Sequence, residues 1–210
     1  MIIDLHVHTL PLSRDSSLEF PEVIEHARKA GLDGFCVTEH GSFWDTDELA
    51  RLSEEHNFLL IPGVELSCDD FHFLVFGLEE HSYGLWMPYK LRETVDEAGG
   101  VMILAHPGRR RYFENSDLEE TVERFLRQSF LRYVDIVEVL NGRHTDAENE
   151  FAQELSKRMN WMGTGGSDAH DFVDIPTCAT DFQRDISNLD ELITEIKAGR
   201  FEAVDLRRSS

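Results

Sequence analysis

The sequence predicts an α/β fold on a mainly parallel sheet, closed or nearly so, and three observations carry that expectation. Apolar strand-like runs alternate with amphipathic helical stretches along almost all of the 210 residues. Proline and glycine signals punctuate them. Six of the ten histidines, with three carboxylates, sit where expected strands run out into loops, which is where a barrel enzyme assembles a site from residues distant in sequence.

In chain order, a first strand over 1–6 leads into His8. A helix over 20–30 follows, with Pro21 in its first turn and Gly31 after its last. A strand at 34–38 and a helix at 45–56 come next. The runs 58–64 and 71–77, joined by the short polar loop Cys68-Asp69-Asp70, are expected to pair as a hairpin that interrupts the rhythm. A helix over 84–98 ends at Gly99-Gly100. Strands at 101–105, 134–139 and 161–164 then alternate with helices at 117–130 and 145–159. A helix over 188–198, closed by Gly199, and a strand at 201–205 complete the chain. No linker, repeat or low-complexity segment divides it, so residues 1–210 are expected to form one domain.

Apolar residues are 41% and charged residues 29% of the chain, as in ordinary soluble globular proteins. No apolar run approaches the ~20 residues of a membrane span, so no membrane partner is expected. The N-terminus has no basic stretch, and Asp4 and His6 break its first apolar run, so no signal peptide is read. Cys36, Cys68 and Cys178 are far apart and odd in number, which fits reduced thiols in a cytoplasm. Cys36, inside an apolar strand, reads as core. With no CxxC spacing, zinc-finger sites are excluded. The balance of 41 acidic to 20 basic residues gives −21, which argues against a nucleic-acid-binding surface. Only four of the basic residues are lysines; an acidic, lysine-poor surface suits a high-salt cytoplasm. Against that field Arg109-Arg110-Arg111, directly after His106-Pro107-Gly108, is a local positive cluster.

The candidate ligands differ in how hard they are to dismiss. His6 and His8 are two apart in an extended segment, so their side chains leave one face roughly 6.6 Å apart; they can converge on one metal or simply be hydrogen-bonded. Asp15 is either a ligand or a turn or N-cap residue. Glu65 follows Leu59-Leu60-Ile61-Pro62-Gly63-Val64 at the mouth of a buried strand, where an unpaired charge costs several kcal/mol. A cation relieves that cost; an arginine partner is the alternative. His106, after Val101-Met102-Ile103-Leu104-Ala105, is a ligand or a satisfied core residue. His72 is a ligand or exposed. Asp168 and His170 repeat the two-residue spacing after Gly165-Gly166-Ser167. His26, His56, His81 and His144 read as surface residues.

Taken in order, Asp4-Leu5-His6-Val7-His8-Thr9, Thr38-Glu39-His40, Gly63-Val64-Glu65-Leu66-Ser67, Ala105-His106-Pro107 and Gly166-Ser167-Asp168-Ala169-His170 resemble the successive motifs of the PHP (polymerase and histidinol phosphatase) family. HxH alone is unspecific; five ordered motifs over residues 4–170 are not. The resemblance implies a distorted (β/α)7 TIM-like barrel, with 171–210 completing it, and two or three divalent cations (Zn, Mn or Fe) at the C-terminal ends of its strands. It implies that His6, His8, Glu65 and Asp168 hold the first metal. Glu65 would bridge to a second, held also by His106 and His72, and Asp15, His40 and His170 would hold a third. The chain departs from the family in having Glu39 where many members have Asp, in a slightly longer loop from His8 to Asp15, and in lacking room for the inserted domain of some nucleotide-processing members.

Such a cluster lowers the pKa of a bound water and neutralises charge on a phosphoryl transition state. No nucleophile signature such as GxSxG is present. The expected function is therefore hydrolysis of a small phosphomonoester by a metal-bound hydroxide, with Glu65, His40 and His170 catalytic and either histidine passing a proton to the leaving oxygen. Arg109, Arg110, Arg111 and Arg143 fit as phosphate forks; salt bridges to Glu114, Asp117 and Glu119 are the bland alternative. Two other readings are a nuclease acting on strand ends, which the charge disfavours, and a non-catalytic metal-binding regulatory module, which the filled ligand positions disfavour.

Overall fold

The computed structural model describes residues 1–110 and 117–208, and within them the chain forms ten strands and six α-helices. In chain order these are β1 (Ile2–Val7), α1 (Glu22–Lys29), β2 (Gly34–Val37), α2 (Thr46–His56), β3 (Leu59–Pro62), β4 (Val64–Cys68), β5 (Phe71–Phe76) and α3 (Pro88–Glu97). There follow β6 (Val101–Ala105), α4 (Leu118–Phe125), β7 (Ile136–Asn141), α5 (Asp146–Met159), β8 (Met162–Gly166), β9 (Cys178–Phe182), α6 (Leu189–Lys197) and β10 (Phe201–Asp205).

The strands form two five-stranded sheets, ordered β10-β9-β1-β2-β3 and β4-β5-β6-β7-β8. This corrects three expectations. Pairing is mixed rather than mainly parallel: β1, β2 and β3 run parallel, as do β6, β7 and β8, but β9 and β5 lie antiparallel to both neighbours. The hairpin is β4–β5, not 58–64 with 71–77. The run from Leu59 bends at Gly63, where a Cβ would lie 2.7 Å from the Phe76 ring, and the chain changes partner there from β2 to β5. And β9, absent from the sequence reading, fills the place beside β1; its small and polar residues carry little strand signal.

The two sheets meet at their rim through isolated bridges, Val7 with Ala169 and His40 with Glu65. The His8 amide donates to the Ala169 carbonyl (3.0 Å) and the Glu65 amide to the Glu39 carbonyl (3.0 Å). So the segments that join the sheets are the segments that carry the candidate ligands.

Three apolar clusters bury the rest. Ile3, Leu5, Cys36, Ile61, Leu74, Phe76 and Ile103 pack between the sheets, with Leu192 and Ile196 of α6. Val23, Ile24 and Leu49 of α1 and α2 cover Phe35 and Val37. Leu91, Val122, Phe151 and Leu155 of α3 to α5 cover Phe73, Val75, Leu104 and Val137. Each such side chain contributes about 1.5–3 kcal/mol, so the fold presents its site on a rigid frame. Capping is local and legible: Asp45, Asp117 and Thr145 accept from the amides of Glu48, Glu120 and Glu148 at the starts of α2, α4 and α5.

Three of the five β8 residues are glycine, and Gly166 is where the strand packs against β1. A Cβ on Gly166 would lie 2.6 Å from His6 Cβ and 2.8 Å from Glu138 Oε1, both fully buried. We expect Gly166→Ala to lower unfolding stability by about 1–3 kcal/mol, the range for overpacking, measured by denaturant titration. An unchanged midpoint would show that β8 can retreat from β1.

Candidate metal centre

His6 and His8 leave the end of β1 fully buried, with ring centroids 5.0 Å apart. Glu65 on β4 reaches between them. Its Oε1 lies 2.8 Å from both His72 Nδ1 and His106 Nε2, and its Oε2 lies 2.8 Å from His40 Nδ1 and 3.5 Å from His8 Nε2. No arginine approaches Glu65 among the described residues; histidines surround it. Asp168 Oδ1 lies 3.6 Å from His6 Nε2 and 3.5 Å from His8 Nε2. At the outer edge Asp15 Oδ2 lies 3.2 Å from His40 Nε2 and 3.4 Å from His170 Nε2. Asp15 precedes α1 by a full loop and caps nothing there, since the α1 N-cap is Pro21. All nine expected ligands thus converge on one rim.

The donor set fits divalent cations. Ligand atoms lie within 4.8 Å of one another in three groups: His6, His8 and Asp168; His6, Glu65 and His106; and His8, His40 and His170. His6 Nε2, His8 Nε2 and Glu65 Oε2 are buried without a hydrogen-bond partner. Polar atoms so placed cost about 1–3 kcal/mol each, and a cation bound by imidazole and carboxylate relieves that cost.

Two of the candidate ligands sit on strained backbone. His106 (φ 30°) and Asp168 (φ 56°) adopt left-handed conformations at the exits of β6 and β8, which cost a non-glycine residue of order 1–3 kcal/mol and cluster at functional sites. Residues the sequence reading passed over hold them there. The Glu138 carboxylate on β7 accepts from His6 Nδ1 (2.9 Å), from the His106 amide (2.9 Å) and from Asn141 Nδ2 (2.9 Å). Glu39 accepts from the Thr9 amide (2.9 Å), Trp44 Nε1 (2.8 Å) and the Ser13 hydroxyl, and Ser13 Oγ in turn lies 3.3 Å from His8 Nδ1. Glu39 is therefore a buried anchor between the loop after β1, which carries His8, and the loop after β2, which carries His40. Glu138 gave the same signal as Glu65, a charge inside an apolar strand, but lies in none of the five motifs.

The charges are mutually adjusted. Burial alone would raise the Glu65 carboxyl, yet the hydrogen bond from His106 and the close His40 and His6 rings hold it well below the usual range. Burial likewise opposes ionised Asp168, and the nearby His6 and His8 rings and Arg109 more than offset it. Burial disfavours His6 as a cation, but Asp168 and Glu138 raise its pKa well above normal. Burial lowers His8 to about 4, and neighbouring His6 pushes the same way. Positive charge in the inner pair is therefore favoured on His6 over His8.

The arginines divide. Arg109 donates to Asp168 Oδ2 and to Asn141 Oδ1 (3.1 Å), so the expected partners Asp117 and Glu119 are not its own; Glu119 pairs with Arg158. Arg109, Arg110 and Arg143 line a cavity of about 400 Å³ together with Asp15, His40, His72, Glu148 and His170. Among the described residues no carboxylate pairs with the side chain of Arg110 or Arg143. Arg111 and Glu114 lie outside the described residues. Of the four histidines read as surface, His26 and His81 are exposed and His56 half-buried. His144 is instead buried, 5% exposed, with its ring 6.1 Å from that of His106; the turn after β7 folds it under the rim, which a polar loop sequence does not reveal.

Residues 4–159 match the model of the PHP domain. The chain belongs to the PHP family. Residues 146–201 match a second model, described as PHP-associated. An uncharacterised protein of Methanocaldococcus jannaschii is 31% identical over 176 residues, 81% of this chain and 65% of that protein. A phosphoribosyl 1,2-cyclic phosphate 1,2-diphosphodiesterase of Eggerthella lenta is 33% identical over 86 residues, 38% of this chain and 32% of the enzyme. The PHP chain thus spans less than two thirds of either relative. A candidate metal-dependent phosphoesterase of Bifidobacterium adolescentis shares the fold, with a TM-score of 0.63 at 18% identity, covering 98% of this chain and 97% of that one. Among the described residues of this PHP protein no helix is long and apolar enough to cross a membrane.

Proposed function

We propose that this PHP protein is a metal-dependent phosphatase of small phosphomonoesters, built on the family's distorted (β/α)7 barrel with the two sheets as its halves. One observation carries the reading: candidate metal ligands (Asp15, His40, His72 and His170) and three arginines (Arg109, Arg110 and Arg143) line a single cavity. A phosphoryl group needs both, cations at the oxygens where charge develops and fixed donors for the rest.

His6, His8, Glu65 and Asp168 would hold a first cation; Glu65, His72 and His106 a second; Asp15, His40 and His170 a third. The imidazole-carboxylate donors suit Zn, Mn or Fe. When bound, the cations supply Lewis acidity and an activated water. Arg110 and Arg143 bind and orient the phosphate. Arg109 fixes Asp168 and presents its remaining donors to the same cavity. His170 Nδ1 donates to the Asp168 carbonyl (2.9 Å), which turns Nε2 toward Asp15 and His40. With two cations bound, that nitrogen is free to hold a proton for the leaving oxygen; with three, it is a ligand. The net charge of −21 disfavours a polyanionic nucleic acid and favours a small substrate drawn in by a local positive rim.

The test is phosphate release by metal-loaded protein across a panel of phosphomonoesters, with a diester and a 5′-phosphorylated DNA strand alongside. Release from monoesters alone is expected. Turnover confined to the diester or DNA would move the reading to a phosphodiesterase or nuclease, and none at all to a metal-binding module. Within that assay Arg143→Ala should raise KM roughly 10- to 100-fold, the size of a charged hydrogen bond, with metal content unchanged. An unaltered KM in both Arg143→Ala and Arg110→Ala would remove these arginines from the phosphate site.

A further inference from the structure

Glu138 is buried, and three arms of the metal centre end on its carboxylate. Oε1 takes the His6 Nδ1 proton, and Oε2 takes both the His106 amide proton and an Asn141 Nδ2 proton. Asn141 extends the chain, its Nδ2 also lying 3.3 Å from Asp168 Oδ2 and its Oδ1 accepting from Arg109. Three candidate ligands from β1, β6 and β8 are thereby referred to one fully buried group on β7. Gly166 provides the space, since a side chain there would collide with Glu138 Oε1.

We propose that Glu138 is the positioning residue of the metal centre, setting its affinity and ligand geometry without binding the cation. All three partners are donors, so only a group with two acceptor oxygens satisfies them together. Glutamine is isosteric but has a single oxygen; its NH₂ would face either His6 Nδ1–H or the His106 amide, donor to donor. Hydrogen-bonded at Nδ1, His6 is fixed in the tautomer that directs the Nε2 lone pair at the cluster, and the carboxylate increases its basicity as a ligand. Bonded to Oε2, the His106 amide holds the left-handed turn from which its ring reaches Glu65.

The inference rests on the metal-centre reading and not on the substrate, so it is tested without turnover. The full chain, stripped and titrated with Zn against a chromophoric chelator, should bind its tightest ion roughly 10- to 100-fold more weakly in Glu138→Gln. Its Co(II) derivative should show a shifted visible absorption spectrum. Arg143→Ala, the control, should change neither. A merely structural role would lower the thermal midpoint while leaving the affinity and spectrum of the folded protein unchanged, and that result overturns the proposal. If Glu138→Gln does not fold, Glu138→Asp keeps the charge but is a methylene too short to span His6 and His106, and the same two measurements decide. Wild-type protein that binds no divalent cation would overturn the centre and the proposal together.

Discussion

Glu65→Gln is expected to remove two metals together and to lower phosphate release at least about 10³-fold, about 4 kcal/mol of transition-state stabilisation. Each Glu65 oxygen serves a different group of histidines, Oε1 facing His72 and His106, Oε2 facing His40 and His8. Glutamine replaces one of these oxygens by a donor, so one histidine group loses its anion and the shared bridge is lost. His170→Ala, by contrast, should spare the inner ions, because His170 meets Asp15 and His40 at the outer edge. Elemental analysis of both variants checks this. Full metal content in Glu65→Gln would mean that Glu65 is not shared between sites.

Stripping the protein with a chelator should abolish phosphate release and change how its stability depends on pH. Below about 6.5 two buried histidines matter: His8 and His144 are both lowered to about 4 by burial. Asp4, raised to about 7 by burial, works the other way, but the two histidines outweigh the one carboxyl, so the unfolded chain binds more protons and stability rises as pH rises from 4 toward 6.5. His6 and His40 act oppositely. Asp168 and Glu138 raise His6 despite its burial, and the adjacent Glu65 carboxylate raises His40. Their contribution is full below 6.5 and is lost as pH climbs through the raised folded values. Glu65 and Asp168, both depressed, add stability that disappears only as pH falls below the ordinary carboxylate range. The metal-free protein should therefore be most stable near pH 6.5 and lose thermal midpoint above it. Metal binding requires neutral imidazoles and releases protons, so the loaded protein should gain midpoint with pH over the same interval. Parallel melting curves from pH 5 to 9 settle it; slopes of the same sign in both forms would contradict the proton accounting at His6.

The sequence by itself determined which candidate ligands stand at the rim. His6, His8, Glu65 and His106 were legible because each closes an apolar strand, and burying an unrelieved charge or imidazole there is costly; Asp168 and His170 were legible from their two-residue spacing after a glycine-rich run. Helices were legible for a similar local reason: Asp45, Asp117 and Thr145 cap amides three residues on. What only the tertiary structure decided is partnership. Gly63 looks like any strand residue, yet contact with Phe76 makes it the point where the chain changes sheets. β9 has small residues whose strand character comes from lying between β1 and β10. Arg109 finds Asp168 59 residues away, and His6 finds Glu138 132 residues away. Residue type and spacing report which way a side chain points and how much it costs to bury. Which group meets it depends on how two sheets close on each other, and that is fixed by packing across the whole chain.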